Sequence, residues 1–255
     1  MSKLAAQLYT VREFCKTEED IARSMEKIAA IGYDTVQVSG LGSIPHDRMR
    51  RIMDDNGLSI LVTHNSYDEI ANRTDELIEK HYIYGCKNVG LGSMPNDIFD
   101  RRTEQGFTEF AKKSEELACR LKEAGLNYVY HNHNFEMIRF GKKTGLDIIY
   151  DNAPTLRGEI DTYWITAGGG DPTVWIDKLS GRMDLIHFKD MAFSAEGRQV
   201  FAEIGEGNLN WAGIIAACER NGIEKYIIEQ DSCPVDPFES LRISFENLKA
   251  MGVDR

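Results

Sequence analysis

Residues 128–136 combine an apolar run with several groups that can bind a metal or transfer a proton. The stretch reads Tyr-Val-Tyr-His-Asn-His-Asn-Phe-Glu and follows a turn glycine, Gly125. Its aromatic and β-branched beginning predicts a buried strand, and burial of histidine and glutamate without partners would be costly. Glu136 is therefore the first candidate for chemistry. We expect the strand to end between His131 and His133, so that only one of these histidines faces the site. We favour His133 as the histidine that faces it.

Three further metal-competent groups follow later apolar runs. Asp161 comes after Gly-Glu-Ile, His187 after Asp-Leu-Ile and Glu229 after Tyr-Ile-Ile. With Glu136 they provide three carboxylates and one imidazole, a hard and mostly oxygen ligand set that suits Mn, Mg or Co. We predict that these four side chains bind one divalent ion, with Mn as the first choice and Zn also compatible.

These groups can meet only if the strands that carry them end at the same place. Short apolar runs predict strands at residues 4–10, 35–39, 59–63, 88–91, 127–131, 157–161, 185–188 and 225–229. Helical patterns alternate with them, at residues 17–30, 45–56, 67–84, 106–124, 145–153, 173–179, 210–221 and 237–251. The alternation predicts a single-domain (β/α)8 TIM barrel over residues 1–255, with functional residues at the carboxyl ends of the strands.

A doubly wound open sheet is the competing arrangement. That fold usually carries a glycine-rich phosphate turn after its first strand, but residues 10–13 read Thr-Val-Arg-Glu. The barrel is therefore the favoured fold. Its strand ends add Gln7, His64 and Lys189 to His133 as residues expected to bind substrate.

The overall composition disfavours several classes of partner. The chain has 41 acidic and 30 basic residues, a formal net charge of -11, which argues against binding nucleic-acid phosphates. No apolar run approaches the roughly 20 residues of a membrane span, and the first ten residues lack the features of a signal peptide. Five scattered cysteines without a CxxC pair suit a reducing compartment. We expect a cytoplasmic protein that binds a small molecule, with no nucleic-acid or membrane partner; a homo-oligomer is compatible with these features.

Four short segments, in this order, carry a family resemblance. They are His-Asn-Phe-Glu at 133–136, Glu-Ile-Asp-Thr at 159–162, Ile-His-Phe-Lys at 186–189 and Ile-Ile-Glu-Gln at 227–230. The chain resembles the sugar phosphate isomerase/epimerase superfamily, the xylose isomerase-like TIM barrels that include ketose 3-epimerases and inosose dehydratases. The resemblance implies that Glu136, Asp161, His187 and Glu229 bind one divalent ion. It also implies that Glu136 and Glu229 are the catalytic pair, near opposite faces of a bound sugar.

The resemblance is weaker where substrate hydroxyl groups would be recognised. Ketose 3-epimerases place a histidine three residues after the metal-binding aspartate, whereas this chain has Trp164. The basic residue after His187 is Lys189 rather than a histidine and a later arginine. An indole can cover the C–H face of a sugar and an ammonium can meet an oxygen. Trp164 and Lys189 therefore suggest a cyclic substrate, such as a keto-pyranose or an inosose.

Several functions remain compatible with these residues. The resemblance implies a divalent-metal-dependent isomerase or epimerase of carbohydrate metabolism, which removes a proton beside the carbonyl of a small sugar or keto-sugar and forms an enediolate. A dehydratase (a lyase) acting on a keto-sugar or inosose would use the same ligands, and a non-catalytic sugar-binding barrel is a further alternative. A DNA endonuclease of the related barrel type is disfavoured, because it would need more than the six histidines present and a basic face.

Overall fold

Eight parallel strands follow one another around a barrel in the computed structural model, which describes residues 2–253. Within these residues, four further strands form two separate antiparallel pairs. In chain order the strands are β1 (Leu4–Gln7), β2 (Thr35–Val38), β3 (Ser59–Asn65), β4 (Asn88–Leu91), β5 (Asn127–His131), β6 (Arg139–Phe140), β7 (Lys143–Thr144), β8 (Arg157–Glu159), β9 (Leu185–Phe188), β10 (Asp190–Phe193), β11 (Gln199–Ala202) and β12 (Lys225–Ile228).

The barrel strands pair in the order β8-β5-β4-β3-β2-β1-β12-β9. Between β8 and β9 the pairing is reduced to one parallel bridge, which joins Asp161 and His187. The His187 backbone N–H donates to the Ile160 carbonyl oxygen over 2.8 Å. The sheet is therefore a nearly closed barrel, and the predicted single-domain TIM fold is confirmed. The exact domain limits of 1 and 255 stay a prediction, because both residues lie outside the described part of the chain.

Helices connect the barrel strands. They are α1 (Glu18–Ile31), α2 (His46–Asp55), α3 (Tyr67–Asn72), α4 (Thr74–Tyr84), α5 (Glu104–Glu123), α6 (Gly145–Asn152), α7 (Thr162–Ala167), α8 (Pro172–Lys178), α9 (Trp211–Arg220) and α10 (Pro237–Ala250). Short 3-10 helices cover Leu8–Phe14 and Phe135–Met137. Within residues 2–253, no helix has both the length and the apolar character needed to cross a membrane.

The structure departs from the predicted elements at several places. The strand predicted over residues 4–10 ends at Gln7, because Leu8–Phe14 forms a 3-10 helix. The helix predicted over residues 67–84 is two helices, because Arg73 leaves the helical conformation at φ -123° and ψ 38°. Helix α7 was not predicted; it begins where the Asp161 carboxylate accepts the Trp164 backbone N–H over 2.9 Å. The antiparallel pair of β10 and β11 was also missed, because β10 directly follows a barrel strand without a turn signal.

Inward-facing residues change from apolar to polar along the barrel strands. Ala5, Val62, Val129, Leu185 and Ile227 form a small buried cluster of their own. Alternate residues of a strand face the same side, so the residue two positions further along each strand faces the same interior, nearer the carboxyl end. Each of these second residues is polar: Gln7, His64, His131, His187 and Glu229. Strand alternation thus builds a polar layer directly above an apolar one.

Candidate metal centre and active site

Four side chains in this polar layer form a compact group of potential metal ligands. They are His131 on β5, Asp161 after β8, His187 on β9 and Glu229 after β12. All four are buried, and one ligand atom from each lies within 4.8 Å of the others. Ligands bound about 2.1 Å from one ion, on opposite sides of it, are about 4.2 Å apart. The group therefore has the dimensions of a single-ion site.

The chemistry of the group also fits a divalent cation. His187 Nδ1 is 3.0 Å from Glu229 Oε2 and 3.8 Å from Asp161 Oδ2, and His131 Nε2 is 4.0 Å from Asp161 Oδ2. Asp161 Oδ2 is buried without a hydrogen-bond partner. Burial, with His187 nearby, keeps the pKa of His131 well below its ordinary value. The His131 imidazole is therefore neutral, as a metal ligand must be.

A buried lysine borders the group. Lys189 Nζ lies 2.7 Å from Glu229 Oε2, 3.0 Å from Asp231 Oδ2 and 3.1 Å from Asp161 Oδ2. Burial favours the neutral amine, but the three carboxylates raise the pKa of Lys189 above its ordinary value. Burial likewise opposes the charge on Glu229, yet Lys189 and His187 hold the pKa of that carboxyl well below its usual range. Burial opposes a charge on His187, but Glu159 and the neighbouring carboxylates raise the pKa of His187 well above its ordinary value, so an ion would have to displace a proton from this imidazole. One ammonium and one imidazolium against the carboxylates of Asp161, Glu229, Asp231 and Glu159 leave an excess of negative charge that a divalent cation would balance.

The group opens into a cavity of about 390 Å³. His131 and Glu229 line this cavity together with His64, His133 and Lys189, so potential ligands and potential substrate contacts share one space. The other lining residues are Tyr9, Ser39, Asn65, Ser66, Tyr67, Leu91, Gly92, Ser93, Pro95 and Asp231. Hydroxyl, amide and aromatic groups in such a wall are suited to a small polar ligand.

Comparison with known proteins places this architecture in a family. The family model for the xylose isomerase-like TIM barrel matches residues 25–251. The chain belongs to this family. The resemblance predicted from the four short segments is thereby confirmed.

Known xylose isomerase-like proteins that resemble the chain include both epimerases and dehydratases. Inosose dehydratase from Lacticaseibacillus casei is 26% identical over 174 residues, which cover 58% of this chain and 56% of the relative. The chain thus spans little more than half the length of that curated protein. A sugar phosphate isomerase/epimerase from Parabacteroides distasonis has a TM-score of 0.81 at 21% identity, covering 98% of each chain. A structure of L-ribulose 3-epimerase has a TM-score of 0.75 at 15% identity, covering 100% of this chain and 95% of the other.

In this xylose isomerase-like barrel, Glu136 does not join the other three predicted ligands. Strand β5 ends at His131, and Glu136 lies on the following 3-10 helix, fully buried. Its Oε1 accepts the Tyr130 hydroxyl over 2.6 Å and its Oε2 accepts the His133 backbone N–H over 2.9 Å. Burial raises the pKa of Glu136 to about 7 despite these hydrogen bonds. Glu136 thus lies outside the group that contains Asp161, His187 and Glu229, because the strand ends too early to present it, and His131 lies there instead. A ligand role for Glu136 stays a prediction.

The five residues predicted to bind substrate are divided between the cavity wall and its surroundings. His64, His133 and Lys189 line the cavity. Gln7 is fully buried and is not among the lining residues; its side-chain oxygen accepts a backbone N–H over 3.3 Å. Trp164 is also not among them, but its ring lies 5.3 Å from that of His133 and 5.5 Å from Lys189 Nζ. Trp164 therefore supports two residues of the wall.

Sequence reasoning missed two members of the polar layer. His131 belongs to the potential ligand group, although His133 was favoured. Glu159 is fully buried and its Oε2 lies 2.6 Å from His64 Nε2. Strand alternation could have found both, because His131 follows the inward-facing Val129 by two residues and Glu159 precedes Asp161 by two.

Proposed function

We propose that this protein is a divalent-metal-dependent enzyme that removes a proton beside the carbonyl of a small sugar or keto-sugar. The observation that carries the proposal is the group of His131, Asp161, His187 and Glu229, two of which, His131 and Glu229, line the cavity. Family membership supports an enzyme of the isomerase, epimerase or dehydratase type. Mn is the first candidate ion, because the ligand set mixes hard carboxylates with imidazoles.

The residues of the chain divide the work of such a reaction. When bound, the ion would polarise the substrate carbonyl and stabilise the negative charge that develops on proton loss. Glu229 both belongs to the ligand group and lines the cavity, so we assign it as the proton acceptor. Lys189 holds the Glu229 carboxylate and presents a positive charge to a substrate oxygen. His64 and His133 orient hydroxyl groups from the cavity wall.

The fate of the deprotonated substrate decides which reaction results. Return of a proton to the opposite face of the same carbon gives epimerisation, and return to the neighbouring carbon gives isomerisation. Loss of a hydroxyl group from the adjacent carbon gives dehydration. We place isomerase or epimerase activity first. Dehydration is the second candidate, supported by the similarity to an inosose dehydratase.

A substrate screen in D₂O tests the proposal. Keto-sugars and inososes are incubated with Mn-loaded protein, and deuterium uptake and loss of water are followed by NMR and mass spectrometry. We expect deuterium at the carbon beside the carbonyl of at least one substrate. Exchange without elimination identifies an isomerase or epimerase, whereas loss of water identifies a dehydratase. Tight sugar binding without either change would contradict an enzymatic function and favour the non-catalytic barrel.

Two glutamate variants test whether Glu136, predicted from the sequence to be catalytic, or only Glu229 takes part in proton transfer. Glu229→Gln should lower the exchange rate by about 100-fold or more, since general-base catalysis typically contributes that much. Glu136→Gln should retain exchange, because Glu136 does not line the cavity. Asp161→Asn should lower the bound metal measured by elemental analysis. Loss of exchange in Glu136→Gln, with normal metal content, would return Glu136 to the catalytic role predicted from the sequence.

A further inference from the structure

Glu159 is a fully buried carboxylate that lies between two histidines of the polar layer. Its Oε2 is 2.6 Å from His64 Nε2, and its Oε1 is 3.3 Å from His187 Nε2. The side-chain oxygen of Gln37 is 2.6 Å from the same His187 nitrogen. In the described part of the chain, the ion pairs of Glu159 involve these histidines and no lysine or arginine. The Glu159 carboxylate thus contacts the Nε2 atoms of both His64 and His187.

The contact with Glu159 determines which nitrogen of His64 carries the proton. An ionised carboxylate only accepts hydrogen bonds, so His64 donates from Nε2 and keeps a lone pair on Nδ1. A Cβ added to Gly92 would lie 3.0 Å from that Nδ1, and both residues line the cavity. A Cβ added to Gly90 would lie 2.8 Å from His64 Cδ2. The two glycines therefore leave room for the His64 ring, which lines the cavity with its Nδ1 beside Gly92.

The two ring nitrogens of His187 also face different partners. Its Nε2 faces Gln37 and Glu159, while its Nδ1 faces Glu229 and Asp161 at 3.0 and 3.8 Å. A proton on Nε2 suits the two oxygen acceptors on that side. In the absence of an ion, His187 Nδ1 also carries a proton and donates it to the Glu229 carboxylate. An ion that binds among the carboxylates would displace this Nδ1 proton and leave the one on Nε2, the arrangement common to metal-binding histidines.

We propose that Glu159 is a positioning residue that keeps a proton on Nε2 of both His64 and His187. His64 then offers its Nδ1 lone pair to a hydroxyl group of the substrate, and His187 offers Nδ1 to the ion. The substrate part of this inference rests on the proposed function and deepens it, because it assigns His64 as an acceptor for a hydroxyl-bearing ligand. The positions of the ring protons of His64 and His187 are inferred from the contacts of these rings alone and do not depend on the proposed function.

A second ion is the competing explanation for the same residues. His64, His131, Glu159 and His187 each offer a ligand atom within 4.8 Å of the others. The 2.6 Å between His64 Nε2 and Glu159 Oε2 is a hydrogen-bond distance. Neighbouring ligands about 2.1 Å from one ion are held about 3 Å apart. The direct contact therefore favours a shared proton over a shared metal.

The tautomers can be read in ¹⁵N-labelled wild-type protein loaded with Mg or Zn, since long-range ¹H–¹⁵N correlations distinguish the two ring nitrogens. We expect the ring proton of His64 on Nε2 and the lone pair on Nδ1. In Glu159→Gln the amide can also donate, so we expect a mixture of His64 tautomers and a metal affinity about 10- to 100-fold lower. Glu203→Gln is the matched control, because this buried carboxylate accepts the Ser240 hydroxyl over 2.6 Å. It should leave both readouts unchanged.

A His64 protonated on Nδ1 in the wild type would overturn the proposal, and this measurement does not depend on any variant folding. Unchanged His64 signals in folded Glu159→Gln would overturn it too. So would two ions per chain, one of which is lost in His64→Gln. Absence of deuterium exchange with the expected tautomers would remove the proposed function alone and leave Glu159 as the residue that positions the two rings.

Discussion

Lys189 and Asp190 are consecutive and both buried, yet their charges are satisfied in different ways. Asp190 Oδ1 accepts the backbone N–H groups of Met191 and Leu209, at 2.8 and 3.3 Å. Its Oδ2 accepts the Trp211 indole N–H at 2.6 Å and two further backbone N–H groups, at 2.9 and 3.1 Å. Lys189 instead meets three side-chain carboxylates. Mainly backbone donors therefore surround the Asp190 carboxylate. Carboxylates, which could also bind a metal, surround the Lys189 ammonium.

Strand alternation explains the contrast, because consecutive side chains point to opposite sides. Lys189 faces the cavity, whereas Asp190 faces the loop between β11 and α9. That loop supplies its donors at Gly205 and Gly207, and a Cβ at Gly207 would lie 2.4 Å from Asp190 Oδ1. The Gly-Glu-Gly sequence is therefore needed for the loop to close around the carboxylate. We infer that Asp190 anchors the fold and that Lys189 belongs to the site.

The largest expected effect is that of Asp190→Ala on stability. Removal of one partner from a buried charged network costs roughly 3–5 kcal/mol, so the free energy of unfolding should fall by that amount in urea titrations. The metal affinity of the folded variant should stay unchanged. Asp171→Ala is the control, since this exposed aspartate only caps α8, and loss of a helix cap costs about 1 kcal/mol. A similar cost for both variants would contradict the role of Asp190 as an anchor.

Glu136 is a third buried charge, with only two hydrogen-bond donors in place of five. Its pKa of about 7 in the folded protein lies above the ordinary 4.5 expected on unfolding. Folding therefore favours the protonated acid, and this contribution to stability is complete below pH 4.5 and is lost as the pH rises through 7. The loss amounts to about 3 kcal/mol.

Glu136→Gln mimics the protonated acid and should remove this part of the pH dependence. Urea titrations of both proteins between pH 4 and pH 8 measure the difference directly. If the free energies of unfolding of the variant and the wild type changed with pH in parallel, the two hydrogen bonds would be enough to keep Glu136 ionised. Two donors would then stabilise a buried carboxylate as five do at Asp190.

The barrel could be predicted from sequence because most of the predicted strands carry a local signal and all of them alternate with helical patterns. Residues 127–131 and 225–229, for example, are apolar and β-branched or aromatic, and both form barrel strands. The site was harder to predict, because ligand choice depends on where each strand ends. Asp161, His187 and Glu229 directly follow apolar residues and do come together. Glu136 is five residues beyond His131, where a 3-10 turn, invisible in the apolar pattern, redirects its side chain.

Lys189→Met should have a smaller effect on stability than Asp190→Ala but, unlike Asp190→Ala, should change metal binding. Loss of the ammonium leaves the buried Asp161 and Glu229 carboxylates without their cation, which should cost about 3 kcal/mol without metal. The freed carboxylates of Asp161 and Glu229 should bind Mn at least tenfold more tightly, because a nearby positive charge is gone. Calorimetric titration with Mn checks this, with Asp190→Ala as the comparison. Weaker Mn binding in Lys189→Met would mean that the lysine organises the ligand group and does not compete with an ion.

Trp164 lies between the surroundings of Lys189 and the β10–β11 pair that begins at Asp190. Its ring is 5.5 Å from Lys189 Nζ and 6.0 Å from the ring of Phe201 on β11, the strand paired with β10. Its indole N–H is buried without a partner. The ring therefore packs against Lys189 and His133, which line the cavity, and can act on a substrate by holding these two residues in place.

The smallest expected effect is that of Trp164→Ala on substrate binding. Loss of aromatic contacts worth about 1 kcal/mol should raise KM about fivefold, with Mn affinity unchanged because Trp164 is outside the ligand group. Trp164→Phe keeps a ring and removes the N–H, so recovery of KM would assign the effect to the ring face, and no recovery would assign it to the donor. Phe193→Ala, an exposed change on β10, controls for disturbance of the hairpin. Wild-type kinetics in Trp164→Ala would exclude the indole from substrate binding and remove the argument for a cyclic substrate, while the contrast between Lys189 and Asp190 would be unaffected.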